Sequence, residues 1–448
     1  MASLTRSSRE LTDKLIDFYN SADCNILDKN IINISKIRPF LNFLYSIYCN
    51  QDKNTNINDV SFEYLNNNER VQLYKLNRTN YFLNNRYIPI EIIEYIDTNI
   101  NNFEIMKYTF VNRCLHLYKI NIYFIKFNDS NIKKKEINES VQNIILIFNL
   151  LIHLSGNNEL KCSHDNINIY IYLTPFKRTI NNAFNKTDNE TSILGETQAN
   201  GGFCYGCVSK QNIVIYRRED YFKTLIHELV HNFGIDQSLF ISGLKSQQII
   251  KSIFNIDIYT KDNNFNYGIN ESYTEFWACI LNISLFSYKN TRTNKQFIEL
   301  FGSFMNIEIV HSLVQIVKIL HQNNLKYNDI ISNDKINYYR ETTHIMSYYI
   351  LKTILLYNYI ELIERGTIFK KILHVKSNTI NISFDIKKLI EFQNFIGIIC
   401  RKTEFIELIN KFTKLYTNKY IDQFTNFYFN KLGSILISNM RMVTIEYI

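Results

Sequence analysis

The chain has little proline and little glycine, 3 and 12 residues in 448. It is rich instead in Asn, Ile, Lys and Tyr, a bias that points to AT-rich coding more than to a structural requirement. The amino terminus, MASLTRSSRELTDKL, lacks the apolar core of a secretory signal, so no export is expected and an intracellular, cytoplasmic setting is. Long apolar runs are missing too. The longest, Ile144 to Leu154, is too short to span a bilayer and carries Asn149 and His153, which predicts a buried helix and no membrane span. Charge of one sign is scarce: 50 Lys and Arg against 42 Asp and Glu leave +8, too thinly spread for a nucleic-acid footprint. The run Lys133 to Lys135 reads as a solvated helix start. Eight scattered cysteines without a signal peptide argue for reduced thiols rather than a disulfide framework. The CxxC at Cys204 and Cys207 could complete a structural zinc site with Cys162 and His164, yet a single pair favours buried free thiols. No internal repeat is found.

What is present fits a soluble folded protein: 46% hydrophobic and 21% charged residues, in a chain long enough for two or three domains. Apolar residues recur at helical spacing from Glu10 to about Asn50, and residues 51 to 105 read as loop-rich and mixed. Alternating β-branched and aromatic residues predict a strand at Leu115 to Asn128, followed by a helix at Glu136 to Leu154 and a strand at Asn166 to Thr174. A polar loop from Phe176 to about Asn200, too hydrophilic to be core, is expected to cover a site. Two short extended pieces follow, Phe203 to Val208 and Ile213 to Tyr216. Beyond Glu219 helices are predicted at Asp220 to Phe233, Ser238 to Phe254, Glu271 to Tyr288, Asn294 to Gln322, Tyr338 to Asn358, Ile382 to Phe395 and Glu404 to Thr417. The expected fold class is therefore α+β, a small mixed sheet with a site-bearing helix followed by a mainly helical lobe. Expected units are 1–110 (helical and mixed), 111–235 (the α+β lobe), 236–360 (the helical lobe) and 361–448 (a C-terminal helical region).

One stretch carries chemistry. In HELVH, residues 227 to 231, His227 and His231 stand four apart and can point both imidazoles at one ion, while Glu228 lies about 100° round the helix, within reach of a water on that ion. Phe222, Leu225, Ile226, Leu229, Val230 and Phe233 give that helix an apolar stripe, and Gly234 is a plausible stop. A catalytic zinc needs a third protein ligand and an open fourth position. The second candidate element is NESYTE, Asn270 to Glu275, with Asn270 as a natural N-cap, Glu271 opening a helix and Glu275 one turn on along the same face. On its own that pattern would equally suit acids favouring a helix N-terminus.

TLIHELVHNF resembles the extended signature of the zincin metallopeptidases. The metzincin form HExxHxxGxxH is matched at Gly234 but ends on Gln237, with Asp236 beside it, whereas NESYTE resembles the later-helix element of the gluzincins. The resemblance implies zinc held by His227, His231 and Glu271, with Glu275 orienting His227 beside Asn270, and Glu228 as general base in the hydrolysis of a peptide bond. An oxyanion donor is implied on YYRETTHIMSYYILK, where His344 and Tyr348 share a face and Arg340 and Tyr349 lie nearby. A polypeptide substrate would add as a strand at the sheet edge formed by Gly202 and Phe203. The combination of GGF, IVIYRRED, TLIHELVHNFGID and NESYTEFWA is also similar to uncharacterised metallopeptidase-like proteins of large DNA viruses, which would allow a place in the virion. The resemblance covers residues 115 to 355 in order of elements. The competing expectation is a non-catalytic structural or interaction protein that keeps a zincin-like fold, such as a virion component.

Overall fold

The computed structural model describes residues 4–21, 33–54, 60–83, 85–112, 118–128, 130, 132–155, 166–180, 193–205, 211–242, 248, 251–254, 256–259, 268–332, 337–364, 380–417, 436 and 438–446. The start is helical, as its periodicity predicts, with α1 (Arg6–Ser21) and α2 (Arg38–Asn54). Residues 51 to 105 are more regular than expected: β1 (Ser61–Tyr64), α3 (Asn67–Asn77), α4 (Ile90–Thr98) and the first residues of β2 (Phe103–Asn112) lie there. A capping box between Asn66 and Glu69 starts α3. Ile92, Ile93 and Ile96 of α4 are buried against one face of a sheet, a partner that local patterning does not reveal.

That sheet is built from the alternating segments. It adds β3 (Tyr118–Phe127), β4 (Asn166–Tyr172), β5 (Gly202–Cys204) and β6 (Gln211–Ile215), in the order β1-β2-β3-β4-β6-β5. β3, β4 and β6 run parallel, and the other neighbours are antiparallel. Helix α5 (Lys134–Ser155) crosses between the parallel strands β3 and β4, as a parallel pair requires. Period-2 alternation sends Ile120, Ile122, Ile169 and Ile213 into the main core with α5, and Ile125, Phe127, Tyr170 and Val214 towards α4. Asparagines of neighbouring strands meet in an amide ladder. Asn121 donates to Asn168 at 3.0 Å and Asn168 to Asn212 at 3.1 Å, so part of the asparagine bias has a structural use.

β5 forms the sheet edge, and Gly202 lets it lie close to β6. A Cβ there would stand 2.9 Å from the Val214 carbonyl oxygen and 2.6 Å from Ile215 Cδ1. Gly202→Ala is therefore expected to push β5 off β6 and cost about 1–3 kcal/mol, measurable by urea unfolding. The short helix α6 (Glu196–Ala199) precedes this edge.

The helical part opens with α7 (Tyr221–Asn232) and α8 (Gln237–Ile241) and continues through β7 (Ile256–Tyr259). Then come α9 (Ile269–Lys289), α10 (Asn294–Gln322), α11 (Tyr327–Ile331) and β8 (Asn337–Arg340). A π-helical turn (Met346–Leu351) leads into α12 (Lys352–Tyr357), and α13 (Tyr359–Glu364), α14 (Leu389–Ile399) and α15 (Thr403–Tyr416) follow. α9 is buried on nearly every side, packed against α7, α10 and α12. By length and composition α5 and α10 could cross a membrane, but both lie mostly buried within the fold.

Several predicted boundaries move. The helix expected over Tyr338 to Asn358 begins as a strand, because β7 offers β8 a parallel partner. The helix expected from Ile382 starts at Leu389, because the backbone N–H groups of Ile382 and Phe384 are taken by the carbonyls of Leu154 and Ile235. Of the helix expected over Ser238 to Phe254, α8 and residues 251–253 are helical, and most of the stretch between lies outside the described residues. The strand expected over Phe203 to Val208 is seen at Gly202–Cys204, with its later part also outside them. The ends of the predicted polar loop belong to the interior: Arg178, Leu194 and Ala199 are buried. Its middle, 181–192, is outside the described residues.

Residues 439–446 thread through the helices as an irregular strap, several of whose carbonyls are claimed by buried side chains. Lys318 donates to Asn439 O at 2.6 Å, Tyr349 to Met440 O at 2.7 Å and Lys352 to Met442 O at 3.0 Å.

Candidate metal centre

Helix α7 is fixed at both ends. Asp220, at its start, has a left-handed backbone (φ 55°) and accepts from Arg441 Nε at 3.1 Å and from the Met442 backbone N–H at 2.9 Å. Gly234, just past its end, takes φ 65°, and the turn it makes reverses the chain so that Asp236 comes back beside the helix. Between these points the apolar stripe is buried, and His227 and His231 project together with their Nε2 atoms 3.0 Å apart.

Helix α9 packs across α7 and supplies the third group. Glu271 Oε2 lies 3.2 Å from His227 Nε2 and 3.4 Å from His231 Nε2. These three side chains form a cluster able to coordinate a metal ion. The outer ring nitrogens face carboxylates as well: His231 Nδ1 is 2.7 Å from Asp236 Oδ2, and His227 Nδ1 is 3.4 Å from Glu275 Oε1. With Nδ1 protonated on each ring and turned to its carboxylate, both Nε2 lone pairs would face Glu271, and three acceptors would converge on one point. That arrangement could hold a cation. A small ion bound at about 2.0–2.1 Å in tetrahedral geometry separates its ligand atoms by about 3.3 Å, close to the three spacings seen. The donor set, two imidazoles and one carboxylate, also suits zinc-like ions.

Electrostatics within the cluster are in keeping with this. Burial pushes Glu271 up, but His231 and His227 outweigh it and hold the carboxyl well below its usual range. Burial pulls His231 down, and Asp236 and Glu271 reverse this to hold it well above the usual histidine range. For His227, too, burial is outweighed by Glu271 and Glu275, and the net direction is upward. Both imidazoles are thus biased toward their protonated forms. Since a metal needs both Nε2 lone pairs, its uptake must release protons, and apparent affinity is expected to rise with pH until both histidines are past their raised pKa values. Calorimetric titrations in buffers of different ionisation enthalpy read the protons released; a pH-independent affinity with no release would contradict this account.

Glu228 is buried beside the cluster. Burial raises its pKa, with the two imidazoles pulling the other way. Cys204, a free thiol on β5, donates to the Glu228 backbone carbonyl at 3.4 Å. Its CxxC partner Cys207, with Cys162 and His164, lies outside the described residues. The π-helical turn brings Tyr348 to the site, its ring centroid 5.9 Å from that of His227, and the ring of His344 is 6.0 Å from that of Tyr348. Tyr349 faces elsewhere, donating to Met440 O and Gln198 O, and Arg340 ends β8. Gly202 and Phe203 pair with Ile215 and Val214 on the edge strand.

One feature differs from the sequence reading and one was missed by it. Asn270 is not the cap of α9, which follows Gly268. Its side chain instead donates to Glu271 Oε1 at 3.2 Å and to Asp236 Oδ2 at 3.4 Å, joining the two carboxylates around the cluster. Asp236 stands behind His231 rather than in the position of a ligand, a role the left-handed turn at Gly234 could have signalled.

No known family profile matches the chain, and no solved structure matches it. An uncharacterised protein of Acanthamoeba polyphaga mimivirus is 27% identical over 214 residues, covering 47% of this chain. The chain spans about half the length of that curated relative, 49% of it. On these grounds the protein is an α+β chain with a cluster of His227, buried, and His231 and Glu271, half-buried, that could coordinate a metal, and with a partial similarity to a large-DNA-virus protein.

Proposed function

We propose that the chain is a zinc-dependent metallopeptidase of gluzincin type, with a zincin-like fold. The observation that carries the reading is the convergence of His227 Nε2, His231 Nε2 and Glu271 Oε2 with a buried Glu228 next to them. The bound metal would supply Lewis acidity toward a water and a substrate carbonyl. Glu228, whose burial makes it a stronger base than an exposed glutamate, takes the proton of the attacking water and passes it to the leaving amine. Tyr348 is held protonated, its pKa raised well above the ordinary value by burial and by the charges of Glu271 and Glu228, so its hydroxyl can donate to the developing oxyanion. Burial holds His344 toward its neutral form, its ring 6.0 Å from that of Tyr348. A polypeptide would pair its main chain with β5 at Gly202 and Phe203.

A second reading has its own support. The cluster ties α7 to α9, the helix at the centre of the helical part, so a bound metal would brace the interior without turnover, as in a structural component of a virion. The similarity to a mimivirus protein fits that reading and a viral origin. A peptide library incubated with the zinc-loaded chain separates the two. Cleavage that stops on chelation and returns with zinc supports the peptidase; one equivalent of bound zinc with an uncut library supports the metal-braced structural protein.

A further inference from the structure

The face of α7 that carries His227 and His231 carries a third polar residue one turn earlier. Lys223 is buried, 2% exposed, an unusual place for an ammonium group unless it is paired. Its Nζ is in contact with Glu275 Oε2, while the other oxygen of that carboxylate stands 3.4 Å from His227 Nδ1. On its far side the same Nζ lies 3.6 Å from Met442 Sδ on the C-terminal strap. A line therefore runs from the strap through Lys223 and Glu275 to the outer nitrogen of His227.

We infer that Lys223 is a positioning residue for the metal centre: it fixes the Glu275 carboxylate so that His227 presents Nε2 to the ion. The inference rests on the metal reading and goes beyond it. Four features carry it. Lys223 and Glu275 are both buried, so neither can be held by solvent. Glu275 uses one oxygen for each partner, which makes it a bridge rather than a bystander. Spacing of four residues puts Lys223 directly under His227 on one helix face. Finally, Asp236 anchors His231 by a turn within the same chain stretch, whereas Glu275 comes from α9 and needs an anchor on α7 to hold its register. The strap is drawn into the centre by the same contact, which gives Met442 a bearing on a site whose histidines lie more than two hundred positions earlier and whose Glu271 lies about 170 earlier.

The experiment is a double-mutant cycle on zinc affinity, read by competition with a chromophoric chelator, using full-length wild type, Lys223→Met, Glu275→Gln and the double variant. The visible spectrum of each cobalt-loaded protein gives a second reading. Outer partners of metal-binding histidines typically contribute about 10–100-fold in affinity. Lys223→Met is expected to weaken zinc binding by about that factor and to alter the cobalt spectrum, while adding no further loss in the Glu275→Gln background. If Lys223→Met alone fails to fold, the double variant, which buries no unpaired charge, still reports against Glu275→Gln. Equal affinity for Lys223→Met and wild type, or losses that simply add, would overturn the inference while leaving the metal site standing. Absence of zinc binding by the wild-type chain would overturn the metal reading and the inference with it.

Discussion

Under the proposed peptidase function, replacing Glu228 by Gln is expected to lower peptide hydrolysis by about 10²–10⁴-fold, the usual contribution of a positioned general base, while leaving metal content unchanged. Glutamine fills the same volume but cannot take a proton from water. Glu228 is not a member of the three-residue cluster, so His227, His231 and Glu271 should hold the metal in the variant as they do in the wild type. Stopped-assay rates against a cleavable peptide, together with metal content by elemental analysis, give both numbers. Undiminished cleavage by Glu228→Gln would remove the residue from the mechanism. Loss of cleavage together with loss of metal would instead mean that the substitution had disturbed the cluster.

The second large effect is on stability. Asp220→Ala is expected to cost about 3–5 kcal/mol, because it leaves two buried guanidinium groups short of a carboxylate. Asp220 lies 3.4 Å from Arg178 Nη1 and 3.1 Å from Arg441 Nε, and all three side chains are shut off from solvent. It also accepts the Met442 backbone N–H, so the variant loosens the C-terminal strap and the start of α7 together. Alanine adds strain at φ 55°, which asparagine tolerates. Asp220→Asn is therefore the milder partner, and urea unfolding of the pair separates charge from backbone. An Asp220→Ala loss below about 1 kcal/mol would mean that Arg178 and Arg441 find other partners at no net cost, contrary to the usual penalty for a broken buried pair.

Legibility in the sequence followed locality. Both histidines and Glu228 lie within five residues of a helix whose stripe and glycine stop are local signals, and α7 forms there. NESYTE could be paired with HELVH only through resemblance, since nothing local says that α9 crosses α7. The strand at Asn337–Arg340 was hidden because its partner lies some eighty residues earlier, at Ile256–Tyr259. Asn270 misled for a similar reason: its residue type suits a cap, but Asp236 and Glu271 compete for its amide and win. Lys223, Arg178 and Arg441 could not be recognised as buried, because their counter-charges at Glu275, Glu219 and Asp220 come from distant or separately placed elements. Charged residues read as surface until their partners are known.

Whether His227, His231 and Glu271 form one three-ligand metal centre is decided by zinc titration of wild type beside Glu271→Ala. One tightly bound equivalent is expected for the wild type and an affinity weakened by more than about 100-fold for the variant, since a direct ligand should matter more than the outer partners of the histidines. No zinc bound by the wild type, or the same affinity in both proteins, would contradict the three-ligand centre.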